Sequence, residues 1–216
     1  MRYTTAMAMS PAPGAIEVRP LEPARLEDFV TFFDRDAFGD NPWWAGCYCT
    51  FYESLTQPTD NPDPATPAFA PYRDRNRNEK IERIRSGAAG GFLAYRDGSV
   101  VGWLNAQPSE CYADPRQFAP AFAEVPALTG MVMCFVVAPA ARGQGVGTAL
   151  LQAAIAGFRA AGLRHAQGFA RRPDAERGDW ETFATSNYHG TPSMYLANGF
   201  AEVGSLGSYA VMRRSL

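Results

Sequence analysis

An apolar run that leads into a glycine-rich turn and then into an amphipathic helix constrains the fold of this chain more than any other feature. Met131–Val137 contains no charged residue, which is typical of a strand covered on both faces. Pro139 ends this strand, and the turn Arg142–Gly147 follows it. From Val146 to Ala161 apolar residues recur on one helical face, and Gly162 ends the helix. The sequence therefore predicts a domain that mixes sheet and helix.

Further strands and helices surround this unit. Ile16–Leu21 alternates like an edge strand, and Pro23 opens an amphipathic helix. The dipeptide Asp97-Gly98 between two apolar runs predicts a β-hairpin of Gly91–Arg96 and Ser99–Asn105. The other predicted elements are a short surface helix at Arg75–Ser86, strands at Arg164–Ala170, Phe200–Val203 and Ser208–Arg213, and a short helix that Thr191-Pro192 begins and Asn198-Gly199 ends.

Length and composition predict one domain. The chain has 216 residues, of which 46% are hydrophobic, enough to bury a core without disulfides or metals. We expect a single domain at residues 15–216 after a flexible tail at residues 1–14. The formal net charge of -2 provides no global positive field, so neither nucleic acid nor an anionic membrane is an expected partner. Without an apolar run of membrane-spanning or secretory length, the expected location is cytoplasmic.

The cysteines and histidines do not have the spacing of a metal site. Cys47 and Cys49 form a Cys-x-Cys pair, and Cys111 and Cys134 are distant singles, in a chain with two histidines. We interpret Cys47 and Cys49 as buried thiols, in preference to a metal site or a nucleophile, and expect no metal. The aromatic segment Trp43–Tyr52 lies in a long proline-rich connection, which indicates a functional loop or a lid. Its rings either belong to the core or line a pocket for an amine.

The glycine-rich turn has a direct physical use as an anion site. Glycines let the backbone approach a ligand, the first-turn N–H groups lack helical partners, and the helix dipole adds positive potential. A phosphate-binding P-loop needs a Gly-Lys-Ser/Thr sequence that is absent, and the dinucleotide fingerprint has a different glycine spacing. Both nucleotide alternatives are therefore weak.

Two spaced motifs resemble those of the GCN5-related N-acetyltransferases. The first is Arg142-x-x-Gly145-x-Gly147 after a strand end, and the second is Tyr195-x-x-x-Gly199-Phe200 on a short helix. The resemblance implies a mixed α/β fold (α+β), with a mostly antiparallel central sheet, flanking helices and one splayed parallel strand pair. It also implies acetyl-CoA as co-substrate, in the V between the Met131–Val137 and Arg164–Ala170 strands.

The resemblance carries specific cofactor contacts over to this chain. The turn and first helical residues would hold the pyrophosphate, main-chain groups on the central strand would pair with the pantetheine arm, and an asparagine one residue from the usual spacing would contact the cofactor. These residues are Phe135, Val136, Val137, Arg142, Gly143, Gln144, Gly145, Val146, Gly147, Thr148 and Asn187.

Acyl transfer needs an acid for the leaving thiolate and a base for the nucleophile. By resemblance Tyr195 is the acid, although a role in packing alone is the alternative. Many relatives use a glutamate on the central strand as the base, but Met131–Val137 contains no acid. His189 is the candidate base, because its pKa can fall near neutral pH. A loop histidine that only makes hydrogen bonds is the competing interpretation.

The sequence thus predicts an N-acetyltransferase that moves an acetyl group directly from acetyl-CoA to a small-molecule or peptide amine in a ternary complex. The alternative is a CoA-binding sensor or interaction protein of the same fold without turnover. An O- or S-acceptor and an acyl group other than acetyl stay open. So does the oligomeric state, a homodimer included.

Overall fold

The computed structural model describes residues 14–55, 61–173 and 185–216. Its strands are β1 (Ile16–Pro20), β2 (Phe92–Arg96), β3 (Ser99–Pro108), β4 (Thr129–Val137), β5 (His165–Arg171), β6 (Ala201–Leu206) and β7 (Tyr209–Ser215). Its α-helices are α1 (Leu26–Arg35), α2 (Phe69–Arg85), α3 (Ala119–Ala123), α4 (Val146–Ala160) and α5 (Pro192–Ala197).

The seven strands form one open sheet in the order β1-β2-β3-β4-β5-β7-β6. Neighbouring strands are antiparallel except β4 and β5, which are parallel. This arrangement confirms the expected mixed fold with a mostly antiparallel sheet and one parallel pair. The edge position of β1 and the hairpin of β2 and β3 are confirmed as well. Asp97 and Gly98 both have positive φ, as the tight turn of such a hairpin requires.

Helices cover both faces of the sheet. On one face the apolar side of α1 packs on the middle strands, where Phe29 and Phe33 contact Trp103 of β3. On the opposite face α4 packs on β3 and β4 through an apolar stripe. That stripe consists of the residues that the helical periodicity indicates: Val146, Leu150, Leu151, Ala154, Ile155 and Phe158. Because α4 is fixed by this burial, its N-terminus has a defined position at the end of β4.

Two predicted boundaries are wrong. Helix α2 begins at Phe69, six residues before the predicted start, and it buries Tyr72 and Lys80 although it was expected at the surface. The hydrophobic pattern does not reveal the burial of this helix, because its buried positions include the polar residues Asn76 and Lys80. The turn expected at residues 204–207 is shorter, because β6 continues through a register shift to Leu206. Apart from Gly14, the predicted tail lies outside the described residues.

No helix within the described ranges is long and apolar enough to cross a membrane.

Candidate active site

The parallel strands β4 and β5 separate part of the way along their length. Their pairing runs from Thr129 opposite His165 to Val132 opposite Gly168, and then stops while both strands continue. On the other side of β4, Asn105 of β3 faces Cys134 whereas its neighbour faces Val132, which leaves an extra residue on β4 as a β-bulge. The bulge bends β4 where the pairing ends. The structure therefore contains the V-shaped opening that the resemblance implies.

The glycine-rich turn presents the open N-terminus of α4 beside this V. Gly143 and Gly145 have φ of +71° and +84°, a left-handed conformation that L side chains rarely adopt. No side chain caps the helix at Gly145, and a Cβ built on either glycine would meet no atom within 4 Å. Uncapped first-turn N–H groups and the helix dipole make this end of α4 suitable for an anion such as a pyrophosphate.

Two side chains of the turn are used to hold its shape. The guanidinium of Arg142 forms a salt bridge with Asp40 and donates to the carbonyl of Val137 at 3.2 Å. Gln144 accepts from Arg96 at 2.5 Å and donates to the Ala140 carbonyl at 2.7 Å. The turn is thus tied to the loop after α1 and to the β2–β3 hairpin.

A cavity of about 350 Å³ opens at the N-terminus of α4, and we refer to it as the cofactor cavity. It is lined by Phe135, Val137, Ala141, Arg142, Gly143, Gly145, Val146, Gly147, Thr148, Asn187, Tyr188, Gly190, Thr191 and Met194. Nine of the eleven predicted cofactor residues are in this lining. Val136 and Gln144 are not, because Val136 packs among the aromatic residues near α1 and Gln144 is bonded to Arg96.

The segment before α5 lies across the V. The N–H of Phe135 donates to the Tyr188 carbonyl at 2.7 Å, and the N–H of Arg171 donates to the Gly190 carbonyl at 3.0 Å. Asn187 holds this segment by accepting from the His189 N–H and donating to the Gly190 carbonyl. The Asn187 amide is therefore used internally, and the predicted pantetheine donor at Phe135 already has a partner within the chain.

Tyr195 lies at the apex of the V and is fully buried. A Cβ built on Gly168, where the parallel pairing ends, would lie 2.4 Å from the Tyr195 hydroxyl oxygen. Within the described part of the chain, this hydroxyl has no hydrogen-bond partner. Burial raises the pKa of Tyr195 far above its usual value, so the phenol stays protonated at neutral pH. Its side chain lines neither cavity of the site.

A second cavity, of about 170 Å³, lies on the other side of Tyr188, and we refer to it as the aromatic cavity. Rings form most of its wall, and three thiols line it as well. Its lining residues are Phe38, Trp44, Cys47, Cys49, Phe51, Tyr52, Asn105, Gln117, Cys134, Arg171, Ser186, Tyr188, His189 and Tyr209. Because Tyr188 lines both cavities, the aromatic cavity is the neighbour of the cofactor cavity.

The aromatic segment of the long connection supplies part of this wall. Trp44, Phe51 and Tyr52 line the aromatic cavity, whereas Tyr48 is buried in the core and Trp43 is 44% exposed. The segment therefore contributes both to the core and to the lining of a cavity.

Cys47 and Cys134, two of the thiols that line the aromatic cavity, are held in their protonated form. Burial raises the pKa of Cys47 to about 12, and hydrogen bonding with Cys49 raises the pKa of Cys134 well above its usual value. A thiol that stays protonated at neutral pH is a weak nucleophile. In the described ranges, no three His, Cys, Asp or Glu side chains are grouped to hold a metal ion.

His189 is 8% exposed and its ring lies among the rings of Tyr52, Phe118 and Tyr209. Its Nε2 is 3.4 Å from the Tyr52 hydroxyl, and its Nδ1 has no partner within bonding distance in the described structure. Burial, and then the charge of Arg171, lower the pKa of His189 to about 4. The imidazole is therefore neutral at neutral pH. The expectation that its pKa lies near neutral pH is wrong, because burial disfavours the charged ring and makes it a weaker base than a free imidazole.

A buried polar network anchors the wall of the aromatic cavity, and the sequence did not predict it. Glu53 binds Lys80 at 2.7 Å and Arg83 at 3.0 Å, and accepts from Asn105 and Gln107. Lys80 and Asn105 also donate to the carbonyl of Cys49. Lys80, the one lysine of the chain, is completely buried. The presence of a single lysine was the feature of the sequence that could have indicated this network.

The backbone that this network holds is strained. Tyr48 and Cys49 have φ of +46° and +51°, which is uncommon for residues with a Cβ. Strain of this kind persists where the surroundings hold it and is concentrated at functional sites. The network thus fixes a loop whose conformation the local sequence does not favour.

Comparisons with known proteins identify a family and solved structures that this chain is similar to. Residues 50–177 match the model of the acetyltransferase (GNAT) family. PaiA N-acetyltransferase from Thermoplasma acidophilum, in complex with coenzyme A, is 16% identical with a TM-score of 0.50, over 94% of this chain and 99% of that one. GphF GNAT-like decarboxylase, in complex with isobutyryl-CoA, is 17% identical with a TM-score of 0.51, over 92% and 98%. No curated protein matches the chain in sequence.

Since the family match spans more than half of the chain and the fold agrees with it, this chain belongs to the GNAT acetyltransferase family.

Proposed function

We propose that this protein is an N-acetyltransferase that transfers an acetyl group from acetyl-CoA to an amine. The cofactor cavity takes acetyl-CoA, with the pyrophosphate at the uncapped N-terminus of α4. The aromatic cavity takes the amine. The observation that supports this most is the combination of an open glycine turn, a free helix N-terminus and a splayed strand pair in one place. The solved relatives with CoA or an acyl-CoA are consistent with this assignment.

In this proposal the chain's own residues supply positioning and proton transfer. The main chain of Gly143–Thr148 binds the pyrophosphate and thereby orients the thioester. Tyr195, protonated and without a partner in the described structure, gives its proton to the departing sulfur. Because its side chain lines neither cavity, this step requires the bound thioester to reach the apex of the V beside Gly168. His189, neutral at working pH, takes the proton from the attacking nitrogen.

Phe135 must be freed for the pantetheine arm to pair with its N–H, because that group now donates to the Tyr188 carbonyl. The proposal therefore includes a shift of the segment around Tyr188 when acetyl-CoA binds. A protein whose Tyr188 segment keeps this hydrogen bond in the acetyl-CoA complex would contradict this part of the proposal.

The experiment has two arms. Isothermal titration calorimetry measures saturable binding of acetyl-CoA, and release of the CoA thiol is measured with a panel of amines, amino acids, peptides and aminoglycosides. We expect saturable binding and amine-dependent release. Absence of acetyl-CoA binding would contradict the proposal. Binding without release for any acceptor would favour the sensor alternative.

A further inference from the structure

The two ring nitrogens of His189 differ in their surroundings. Nδ1 is buried away from solvent and from the aromatic cavity. Nε2 lies 3.4 Å from the hydroxyl oxygen of Tyr52, and Tyr52 lines the aromatic cavity. A proton from an amine in this cavity can therefore reach the imidazole along the contact with Tyr52. The aromatic ring of Tyr52 is itself buried, so its hydroxyl is held in one place.

Tyr52 joins the outer part of the aromatic cavity to this buried imidazole. Gln117, an exposed residue that lines the same cavity, donates to the Tyr52 hydroxyl oxygen at 3.4 Å. The Tyr52 ring packs against Phe118 and the imidazole, and the Tyr52 carbonyl accepts from the Asp114 N–H at 3.2 Å. The hydroxyl is thus fixed between a side chain that is open to solvent and His189, which is buried.

The hydrogen bonds of the Tyr52 hydroxyl have a defined direction. Its oxygen accepts from Gln117, so its hydrogen needs an acceptor, and Nε2 of His189 is the acceptor within bonding distance in the described structure. When Nε2 accepts, the hydrogen of the neutral imidazole is on Nδ1. Burial raises the pKa of Tyr52 well above its usual value, so the hydroxyl keeps its proton at neutral pH and has one to give.

The main chain of Met133 favours the same tautomer. Met133 is the extra residue of the β4 bulge and has no register partner among the described pairs of β4 with β3 and β5. Burial and then the charge of Arg171 lower the pKa of His189, whereas this main chain raises it. A main-chain group that raises the pKa of an imidazole is one that attracts a ring hydrogen. Since Nε2 faces Tyr52, Nδ1 is the nitrogen that carries this hydrogen.

We propose that Tyr52 is a catalytic residue that carries the proton of the attacking amine to Nε2 of His189. This inference rests on the acetyltransferase function proposed above and adds the group that contacts the amine. The nitrogen lone pair forms the N–C bond to the acetyl carbonyl carbon, and the C–S bond breaks with its electron pair on sulfur. One proton of the nitrogen moves to the Tyr52 oxygen while the Tyr52 proton moves to Nε2. The sulfur takes one proton from Tyr195, so no co-reactant is needed.

A weak base is sufficient for this step. Once the nitrogen has bonded to the carbonyl carbon it is positively charged, and its proton is far more acidic than that of a free ammonium group. The buried imidazole of His189 therefore needs to hold the proton only briefly. Its low basicity favours the return of the proton through Tyr52 to the solvent beside Gln117.

The first test compares Tyr52→Phe with the control Tyr95→Phe. Both variants keep a buried ring and lose one hydroxyl, but Tyr95 donates to Asp28 at 2.7 Å and lines neither cavity. CoA release is measured at saturating acetyl-CoA with benzylamine, or with the fastest acceptor of the amine panel where that is another compound. We expect Tyr52→Phe to lower kcat about 100-fold with an unchanged KM for the amine, and Tyr95→Phe to change neither. An unchanged kcat in Tyr52→Phe, or a change in KM alone, would overturn the inference.

The second test asks whether Tyr52 and His189 act as a unit. In that case the double variant Tyr52→Phe, His189→Gln loses no more activity than the slower single variant, because either change already interrupts the proton path. We therefore expect the kcat of the double variant to lie within about threefold of that single variant. A kcat lowered by the product of the two single losses would show independent roles and overturn the relay.

The third test is made on the unaltered protein, so it decides the inference even if Tyr52→Phe does not fold. Nitrogen-15 NMR reports which ring nitrogen carries the hydrogen, and His189→Gln assigns the signals, because the chain has two histidines. We expect the hydrogen of His189 on Nδ1 at pH 7.5. A hydrogen on Nε2 would overturn the relay while leaving the acetyltransferase in place. Failure of the proposed function itself would instead show as absent acetyl-CoA binding.

Discussion

The hydroxyl of Tyr195 is a buried polar atom for which the described structure offers no partner. Leaving such a group unpaired lowers the stability of a protein, so it is retained where it has another use. Its position beside Gly168, at the apex of the V, is where a thioester sulfur would leave in the proposed reaction. This hydroxyl is therefore the candidate for proton transfer to the departing sulfur.

Tyr195→Phe separates catalysis from packing. The ring stays and a group without a described partner is removed, so we expect the free energy of unfolding to stay within about 0.5 kcal/mol of the wild type or to rise. Loss of the acid should lower kcat about 100-fold. The Kd for acetyl-CoA should not change. Stopped assays of CoA release and calorimetry measure these quantities, and an unchanged kcat would assign Tyr195 to packing alone.

The lowered pKa of His189 predicts that the stability of the protein depends on pH. Its folded pKa of about 4 is below the unfolded value of 6.5, so between these values the unfolded chain binds more protons. The stability that depends on the neutral ring is complete above about pH 6.5 and is lost as the pH falls toward 4. At pH 5 this one group should lower the free energy of unfolding by about 2 kcal/mol relative to pH 7.5.

Urea unfolding at the two pH values, in the wild type and in His189→Gln, measures this contribution. The amide of glutamine cannot titrate in this range, so the variant should lose less stability on acidification than the wild type. The same loss in both proteins would show that the histidine is not held neutral as the structure indicates.

Helix α4 has a glycine with a left-handed backbone at each end, so substitutions at the two glycines can be compared directly. Gly145 begins the helix and Gly162 follows its end, both with φ near +80° and with no atom within 4 Å of a built Cβ. Alanine at either position should cost about 1 kcal/mol of stability, because an L side chain is strained there. Only Gly145 lines the cofactor cavity.

We therefore expect Gly145→Ala to raise the Kd for acetyl-CoA about tenfold, through the changed backbone at the anion site. Gly162→Ala should lose similar stability with an unchanged Kd. Thermal unfolding and calorimetry on both variants make the comparison. Equal Kd values in the two variants would contradict the role of the turn in cofactor binding.

The pair of Glu53 and Lys80 joins the loop at Cys49 to α2 and β3. Lys80→Met removes one cation from a buried carboxylate and should lower the free energy of unfolding by about 3 kcal/mol. The double variant Glu53→Gln, Lys80→Met also removes the buried carboxylate, which Arg83 alone then balances in the single variant, and should recover part of that loss. Urea unfolding measures both. A double variant less stable than the sum of the single effects would contradict the assignment of the loss to an uncompensated charge.

At the scale of the whole molecule, the sequence predicted the parts of the fold that depend on local patterns. The apolar run of β4, the periodicity of α4 and the Asp97-Gly98 turn each specify an element through short-range chemistry, and the structure confirms all three. Helix α2 was predicted to lie at the surface because its buried face includes Asn76 and Lys80, which only tertiary partners explain.

The site divides in the same way. About half of the lining of the cofactor cavity comes from one stretch, the glycine-rich turn and the first turn of α4, and this stretch could be recognised in the sequence. The aromatic cavity was predicted only as a segment, since Tyr52, Gln117, Arg171 and Tyr209 come together from distant parts of the chain. No spacing in the sequence relates such residues, and their meeting depends on the sheet order.

The central claim is that the turn at the N-terminus of α4 binds the pyrophosphate of acetyl-CoA. A crystal structure of the complex with acetyl-CoA tests it most directly. We predict the two phosphates within hydrogen-bonding distance of the main-chain N–H groups of Gly143–Thr148. A complex with the coenzyme bound elsewhere, and those N–H groups facing only solvent or side chains, would contradict the account.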